Sequence, residues 1–215
     1  MYRMAARLQV VPAPNPSRRR ALLDAAIDLI AAEGLHGLTH RGLDRHAGEP
    51  VGTASNYFPS RTELIAATAE RLVELQQAEF DEEETPGRTL GAAADAIARS
   101  LLRAATTDRA RWCALFELQN EMRRRPELLT AFAPLQRRSE DATAGHHRRR
   151  RMPIPPDAVP VLQALYGGAL QALLALPPEQ VTIERARQYA HTMIFGTRAL
   201  KEVRGRATLP GVEHP

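Results

Sequence analysis

Between Arg18 and Leu64 the chain reads RRRALLDAAIDLIAAEGLHGLTHRGLDRHAGEPVGTASNYFPSRTEL, three short helical segments parted by tight turns, and that spacing leaves few folds open. Leu22, Ala25, Ala26, Leu29 and Ile30 recur at three-and-four spacing, which puts one apolar stripe on a first helix from about Ser17 to Glu33. Gly34 stops it. Thr39 is the expected N-cap of a second helix reaching Ala47, with Leu43 and Ala47 inward, after which Ala47-Gly48-Glu49-Pro50 turns the chain. Pro50 suits the start of a third helix, where a missing N–H costs nothing.

That third helix, about Val51 to Tyr57, is too short and too polar to be a core element, since Thr53, Ser55 and Asn56 crowd its exposed side. Two helices joined by a tight turn, the second carrying small hydrogen-bonding side chains, is the arrangement that sets a recognition helix into the DNA major groove. Thr53, Ser55 and Asn56 are therefore the candidate readers, with Asn56 suited to adenine or to phosphate. Arg18, Arg19, Arg20, Thr39, Arg41, Tyr57 and Arg61 surround them as candidate DNA contacts. For the three consecutive arginines a solvated basic patch at a helix start is the other reading. Phe58, with Tyr57, is expected to pack back on the first helix. Ser60 and Glu63 form a capping box that starts a fourth helix and fixes the angle between head and body.

The rest of the chain is read as helical throughout, because no segment alternates apolar and polar residues over strand length. Helices are expected over Arg61 to about Phe80, Leu90 to about Ala105, Thr107 to Arg125, from Pro126 into His146-His147, Asp157 to Leu176, and Thr182 to about Val203. The fold class is all-α, about nine helices. It divides into an N-terminal arm (1–16) that prolines keep from helix, a helix-turn-helix head (17–60), a helical effector-binding and dimerisation body (61–204) and a flexible C-terminal tail (205–215). The last two helices have wide apolar faces, and Gly167, Gly168 and Gly196 permit close helix contact. One pair from each of two subunits would make a four-helix interface, with Leu162, Ala169, Leu173, Ala190, Met193 and Thr197 facing the partner. An ordinary intrachain core is the alternative.

With 215 residues, 44 % of them apolar and 25 % charged, the chain can fill a small head and one substantial core. A formal net charge of +4 permits an acidic partner without requiring one. Its one cysteine, Cys113, forms no internal disulfide and fits a reducing cytoplasm, and no apolar run reaches the roughly 18 residues of a membrane span. No Gly-rich phosphate loop, HExxH or metal-spaced Cys pair appears, so neither enzyme, cofactor nor metal is expected. Adjacent His146 and His147 do not share a helix face, and Arg148 to Arg151 would repel a cation. Trp112, Phe116, Gln119, Met122, Phe132 and Tyr166 gather in the middle of the body, either as plain core or as the lining of an apolar effector cavity.

The head resembles that of the TetR-type transcriptional regulators. The matching positions are Ala25-Ala26, Leu29, Gly34, Thr39, Ala47-Gly48, Gly52-Thr53, Phe58, Ser60 and Leu64, in the family's order. Glu49 and Pro50 replace the usual hydrophobic residue and serine, Ser55 replaces an aromatic, and Arg61 replaces lysine. The family's tyrosine–phosphate contact therefore either passes to Tyr57 or is lost. The resemblance implies a cytoplasmic homodimer that binds a double-stranded, near-palindromic operator and is released by a small apolar or aromatic effector. A non-sensing DNA-binding or nucleoid-associated protein is the other reading.

Overall fold

Asn15 starts the first helix by accepting, through its side-chain oxygen, the backbone N–H groups of Ser17 (3.0 Å) and Arg18 (3.4 Å). These are donors that a helix N-terminus otherwise leaves without partners. The computed structural model describes residues 15–82 and 89–206, apart from the side chains of 80–82, 126–131 and 197–206. Pro16, assigned to the arm by sequence, is the first residue of α1 (Pro16–Gly37). Proline is tolerated there because no intrahelical bond uses its nitrogen. Residues 1–14, the remainder of the expected arm, lie outside the described residues. Inside α1 the helical path breaks at Gly34 (φ 70°, ψ 178°), a left-handed backbone that glycine adopts without steric cost.

The remaining helices are α2 (His40–His46), α3 (Thr53–Tyr57), α4 (Arg61–Glu82), α5 (Leu90–Ala105), α6 (Arg109–Arg124), α7 (Pro126–Arg149), α8 (Val159–Leu174) and α9 (Ile183–Arg206). Two 3-10 turns, Pro156–Ala158 and Pro178–Gln180, precede α8 and α9. Among the described residues these nine helices are the regular structure and no strand occurs. Several boundaries differ from the sequence expectation. α3 starts at Thr53 and not at Val51, because Gly52 turns left-handed (φ 98°) and leaves Pro50 and Val51 in the turn. α6 and α8 each begin two residues late, and α9 runs to Arg206, so the first two residues assigned to the tail are helical. Residues 207–215 lie outside the described residues.

Two cores hold these helices. The first joins Leu22, Leu29 and Ile30 of α1 to Leu43, Ala54, Phe58, Leu64, Ile65 and Leu72, and is closed by Ala114 and Leu118 of α6 and Phe132 of α7. The second joins α5, α8 and α9. There the buried Ala93, Ala94, Ala98, Ala104 and Ala105 give α5 a nearly smooth face, and α9 packs closely along it. Helix α6 belongs to both cores: Ala114 and Leu118 enter the first, whereas Trp112 and Phe116 pack on the second. Two ion pairs tie α4 to its neighbours. Arg71 of α4 binds Asp24 of α1 (Nε to Oδ1, 2.7 Å), and Arg111 of α6 binds the buried Glu79 of α4. The hydrogen bond from Arg71 to Asp24 holds that guanidinium's pKa above its ordinary value.

Candidate nucleic-acid interface

A five-residue helix cannot hold itself together, because nucleation costs more than so few hydrogen bonds return. Helix α3 is held from outside. Asp44, buried at 1 % exposure in α2, accepts the N–H of Gly52 and the N–H of Ala54, each at 2.7 Å. A carboxylate thus caps the N-terminus of α3 from the preceding helix and adds charge complementarity to the helix dipole. At the other end His40 Nε2 lies 2.7 Å from the carbonyl of Phe58. A carbonyl can only accept, so Nε2 carries the proton. Phe58 (1 % exposed) and Ala54 (0 %) anchor the inner face of α3 in the first core.

With its inner face and both ends fixed, α3 turns Ser55 and Asn56 to solvent and leaves Thr53 half-buried. The Thr53 hydroxyl donates to Pro50 O (2.7 Å) and the Ser55 hydroxyl to Gly52 O (2.9 Å). With their hydrogens engaged on backbone carbonyls, both hydroxyls keep lone pairs that can accept, the chemistry that base amino groups would meet. Val51, at 81 % exposure, projects beside them from the turn.

The surrounding candidates divide by what already holds them. Arg20 and Arg41 are exposed. Arg18 grips Glu49 across the turn, through Nε to Oε1 (3.1 Å) and Nη2 to Oε2. Arg19 lies over the Phe58 ring, 5.3 Å from its centroid. The Tyr57 hydroxyl accepts the Asn15 N–H (3.3 Å), so the start of α1 is stitched to the end of α3. Thr39 accepts the Gly42 N–H (2.9 Å), the cap its sequence position suggests. Arg61 donates to the carbonyls of Leu38 (2.9 Å) and Leu35 (2.7 Å), so its guanidinium closes the end of α1. Ser60 accepts the Glu63 N–H (3.2 Å) and donates to the Glu63 carboxylate (3.2 Å).

In the body, the residues expected around one cavity part company. Phe132 and Met122 pack on the first core, whereas Trp112, Phe116 and Tyr166 pack on the second. The Trp112 and Tyr166 rings are 5.6 Å apart, the Tyr166 and Ser100 hydroxyls 2.9 Å apart, and the indole N–H is buried without an acceptor among the described residues. A cleft of about 370 Å³ lies instead where α1 (Ile30, Ala31, Gly34), α6 (Cys113, Phe116, Glu117) and α8 (Gln171, Leu174, Ala175) meet. Of the expected lining only Phe116 reaches it.

The expected dimer face also needs correction. Leu162, Ala169, Leu173, Ala190 and Met193 are all at or below 6 % exposure within one chain, because they pack with α5 in the second core. The side chain of Thr197 lies outside the described residues. The opposite stripe of α8, Val161, Ala164, Leu165, Gly168 and Ala172, is exposed, as are Phe195 and Gly196 of α9. A Cβ added at Gly168 or Gly196 would meet open space. No helix among the described residues is long and apolar enough to cross a membrane.

A short polar helix held outward by a buried carboxylate, stitched to the basic start of α1 and followed by a large helical body, defines a helix-turn-helix DNA-binding regulator. Comparison with known proteins carries this to a family. Residues 22–68 match the family described as "Bacterial regulatory proteins, tetR family", and residues 88–196 match "Tetracyclin repressor-like, C-terminal domain". The chain belongs to the TetR family, whose members are DNA-binding transcriptional regulators. It is 42 % identical over 54 residues to the HTH-type transcriptional regulator BetI of Klebsiella pneumoniae (strain 342), a match spanning 25 % of this chain and 28 % of BetI. Among solved structures, a TetR family member from Streptomyces coelicolor A3 is 26 % identical, with a TM-score of 0.63 over 83 % of this chain and 98 % of that one. The multidrug binding protein EbrR complexed with ethidium (24 %, TM-score 0.62, 84 % and 99 %) and Salmonella enterica GusR (20 %, TM-score 0.64, 88 % and 98 %) share the fold.

Proposed function

We propose that the protein is a dimeric repressor that binds a near-palindromic operator and is released by a small apolar or aromatic effector. The observation that carries this reading is the double membership of α6, which packs Ala114 and Leu118 into the core of the DNA-reading head and Trp112 and Phe116 into the core of the body. Any compound that shifts α6 in the body must strain or repack the head, and two discrete packings of one helix are what a switch requires. EbrR, a relative in fold, is seen with ethidium, which supports an aromatic ligand class for such a body.

In this reading Thr53, Ser55 and Asn56 enter the major groove, and Arg20 and Arg41 contact phosphate. Thr39 and Tyr57 sit at the edge of the same surface. The dimer forms through Val161, Leu165, Gly168 and Phe195, apolar or open positions that one chain leaves in water. Two heads then lie about one helical turn or more apart. Selection of duplexes from a random library by the intact protein, followed by footprinting, tests the reading. Two inverted half-sites protected on one face support it, whereas absence of an enriched sequence points to a non-sensing, architectural DNA binder. A compound that releases the operator must also bind more weakly in the operator's presence, because coupling is reciprocal.

A further inference from the structure

Glu49 sits on the DNA-facing turn between α2 and α3, where a negative charge would be repelled by phosphate. Its placement is built in: Gly48 takes a left-handed backbone (φ 67°), and the Glu49 N–H donates to the Asp44 carbonyl (2.8 Å). The carboxylate is thereby presented to Arg18 in the first turn of α1, and the guanidinium meets it through two hydrogen bonds. A planar fork on a carboxylate is the geometry Arg also uses on phosphate, so Glu49 occupies the Nε–Nη2 edge by which Arg18 could grip a phosphate. We propose that Glu49 is a specificity-determining residue, which keeps the Arg18 guanidinium off the DNA backbone and so suppresses binding to non-operator DNA.

Three features favour the closed pair over a hand-off to phosphate. The carboxylate is tethered on the same small head, so its effective concentration at Arg18 is high. Opening the pair would leave a bare carboxylate facing phosphates. Arg18 also lies at a helix N-terminus, where an uncompensated cation opposes the dipole and a neighbouring anion relieves it. The electrostatics agree with the geometry: hydrogen bonding to Glu49 raises the Arg18 pKa, and hydrogen bonding to Arg18 lowers that of Glu49. Both groups are therefore charged at neutral pH, as the pair requires, and while it is closed the head gives up one backbone contact that would strengthen binding to every sequence alike.

The test uses a random-sequence duplex as probe, with affinity of the intact protein measured by fluorescence anisotropy across salt. Glu49→Gln keeps the side-chain shape and removes the charge. It should bind the random duplex more tightly at low salt and show a log K against log[salt] slope steeper by about 0.9, an extra loss of about 3.5-fold between 50 and 200 mM. Adding Arg18→Ala to that variant should return slope and affinity to wild type. Both side chains lie at the solvent surface, and unchanged urea midpoints check that neither substitution acts through folding. A Glu49→Gln slope equal to wild type overturns the proposal. So does a gain that persists in the double variant, which would reflect lost repulsion alone and no release of Arg18.

Discussion

Replacing Asp44 with Ala removes the side chain that accepts the N–H groups at the start of α3, and the cost follows from two hydrogen bonds. Each runs from a backbone N–H to a buried carboxylate at 2.7 Å, and hydrogen bonds to charged groups contribute about 1.5–3 kcal/mol apiece. The two share one acceptor group and are not additive, so about 2–4 kcal/mol is expected for the pair, within reach of the roughly 5–15 kcal/mol that holds a whole domain. Because α3 is five residues long, much of the loss should appear as local opening. Amide exchange at Ala54 should speed up by about 30- to 700-fold, at tenfold per 1.4 kcal/mol. Asp44→Asn retains one acceptor oxygen but turns an NH₂ toward an N–H, and should lose about half as much. Both variants should bind random and operator duplexes poorly, while the body, which shares no partner with Asp44, keeps its helicity. Hydrogen exchange and urea unfolding measure the two parts. An Asp44→Ala protein with wild-type protection at Ala54 and an unchanged urea midpoint would refute the capping argument.

The other predictions concern the joints and the partner face. Arg61→Ala should destabilise the chain by about 1–3 kcal/mol, through two carbonyls left without their donor, yet leave the salt slope of DNA binding unchanged; a slope reduced by about 1 would return Arg61 to the phosphate contacts. Glu79→Ala leaves the largely buried Arg111 with Asp108, at 3.9 Å, as its remaining carboxylate among the described residues, and should cost about 3 kcal/mol in urea unfolding; a loss below 1 kcal/mol would mean the pair does not brace α4 against α6. Leu165→Glu with Phe195→Glu should yield folded monomers by sedimentation, since both side chains are exposed in one chain, whereas Leu173→Glu should fail to fold; a persistent dimer in the double variant would remove this face from the interface. For Glu49 the folded pKa lies below the ordinary one, so the pair's contribution is complete above the usual carboxylate range and disappears as pH falls through the lowered value. Carboxyl-carbon NMR should show Glu49 titrating below a free glutamate, and titration at the free value would show the pair open in solution.

What sequence reading recovers here is what local rules determine. The stripe of Leu22, Ala26, Leu29 and Ile30, the break at Gly34, the Thr39 cap and the Ser60 cap depend on residues within four positions of one another, and the structure has each of them, although the Glu63 carboxylate meets the Ser60 hydroxyl and not its backbone N–H as a full capping box requires. The contacts that make the head work are of longer range. Asp44 caps Gly52 and Ala54 from a different helix, Glu49 holds Arg18 across 31 positions, and Arg61 reaches Leu35 across 26. No cap signature marks such pairs. The acidic residue in place of an apolar one at Glu49 stood out as a departure, but nothing in the sequence named Arg18 as its partner. In the body, periodicity showed that α8 and α9 have wide apolar faces but not which part of them met α5. The alanine face of α5 takes Leu173, Ala190 and Met193 and leaves Leu165 and Phe195 outside. The aromatic group failed as a single cavity lining for the same reason, because α6 turns its residues alternately toward two cores.

The central claim, that the exposed side of α3 reads base sequence, is tested most directly by the ratio of operator to random-duplex affinity, measured at one salt concentration for wild type and for the triple variant Thr53→Ala, Ser55→Ala, Asn56→Ala. None of the three side chains is buried, so helicity and assembly mass should not change. The account predicts that operator affinity falls to the random-duplex value while random-duplex affinity itself stays near wild type, because backbone contacts position and base contacts specify. A triple variant that kept the wild-type ratio would contradict it.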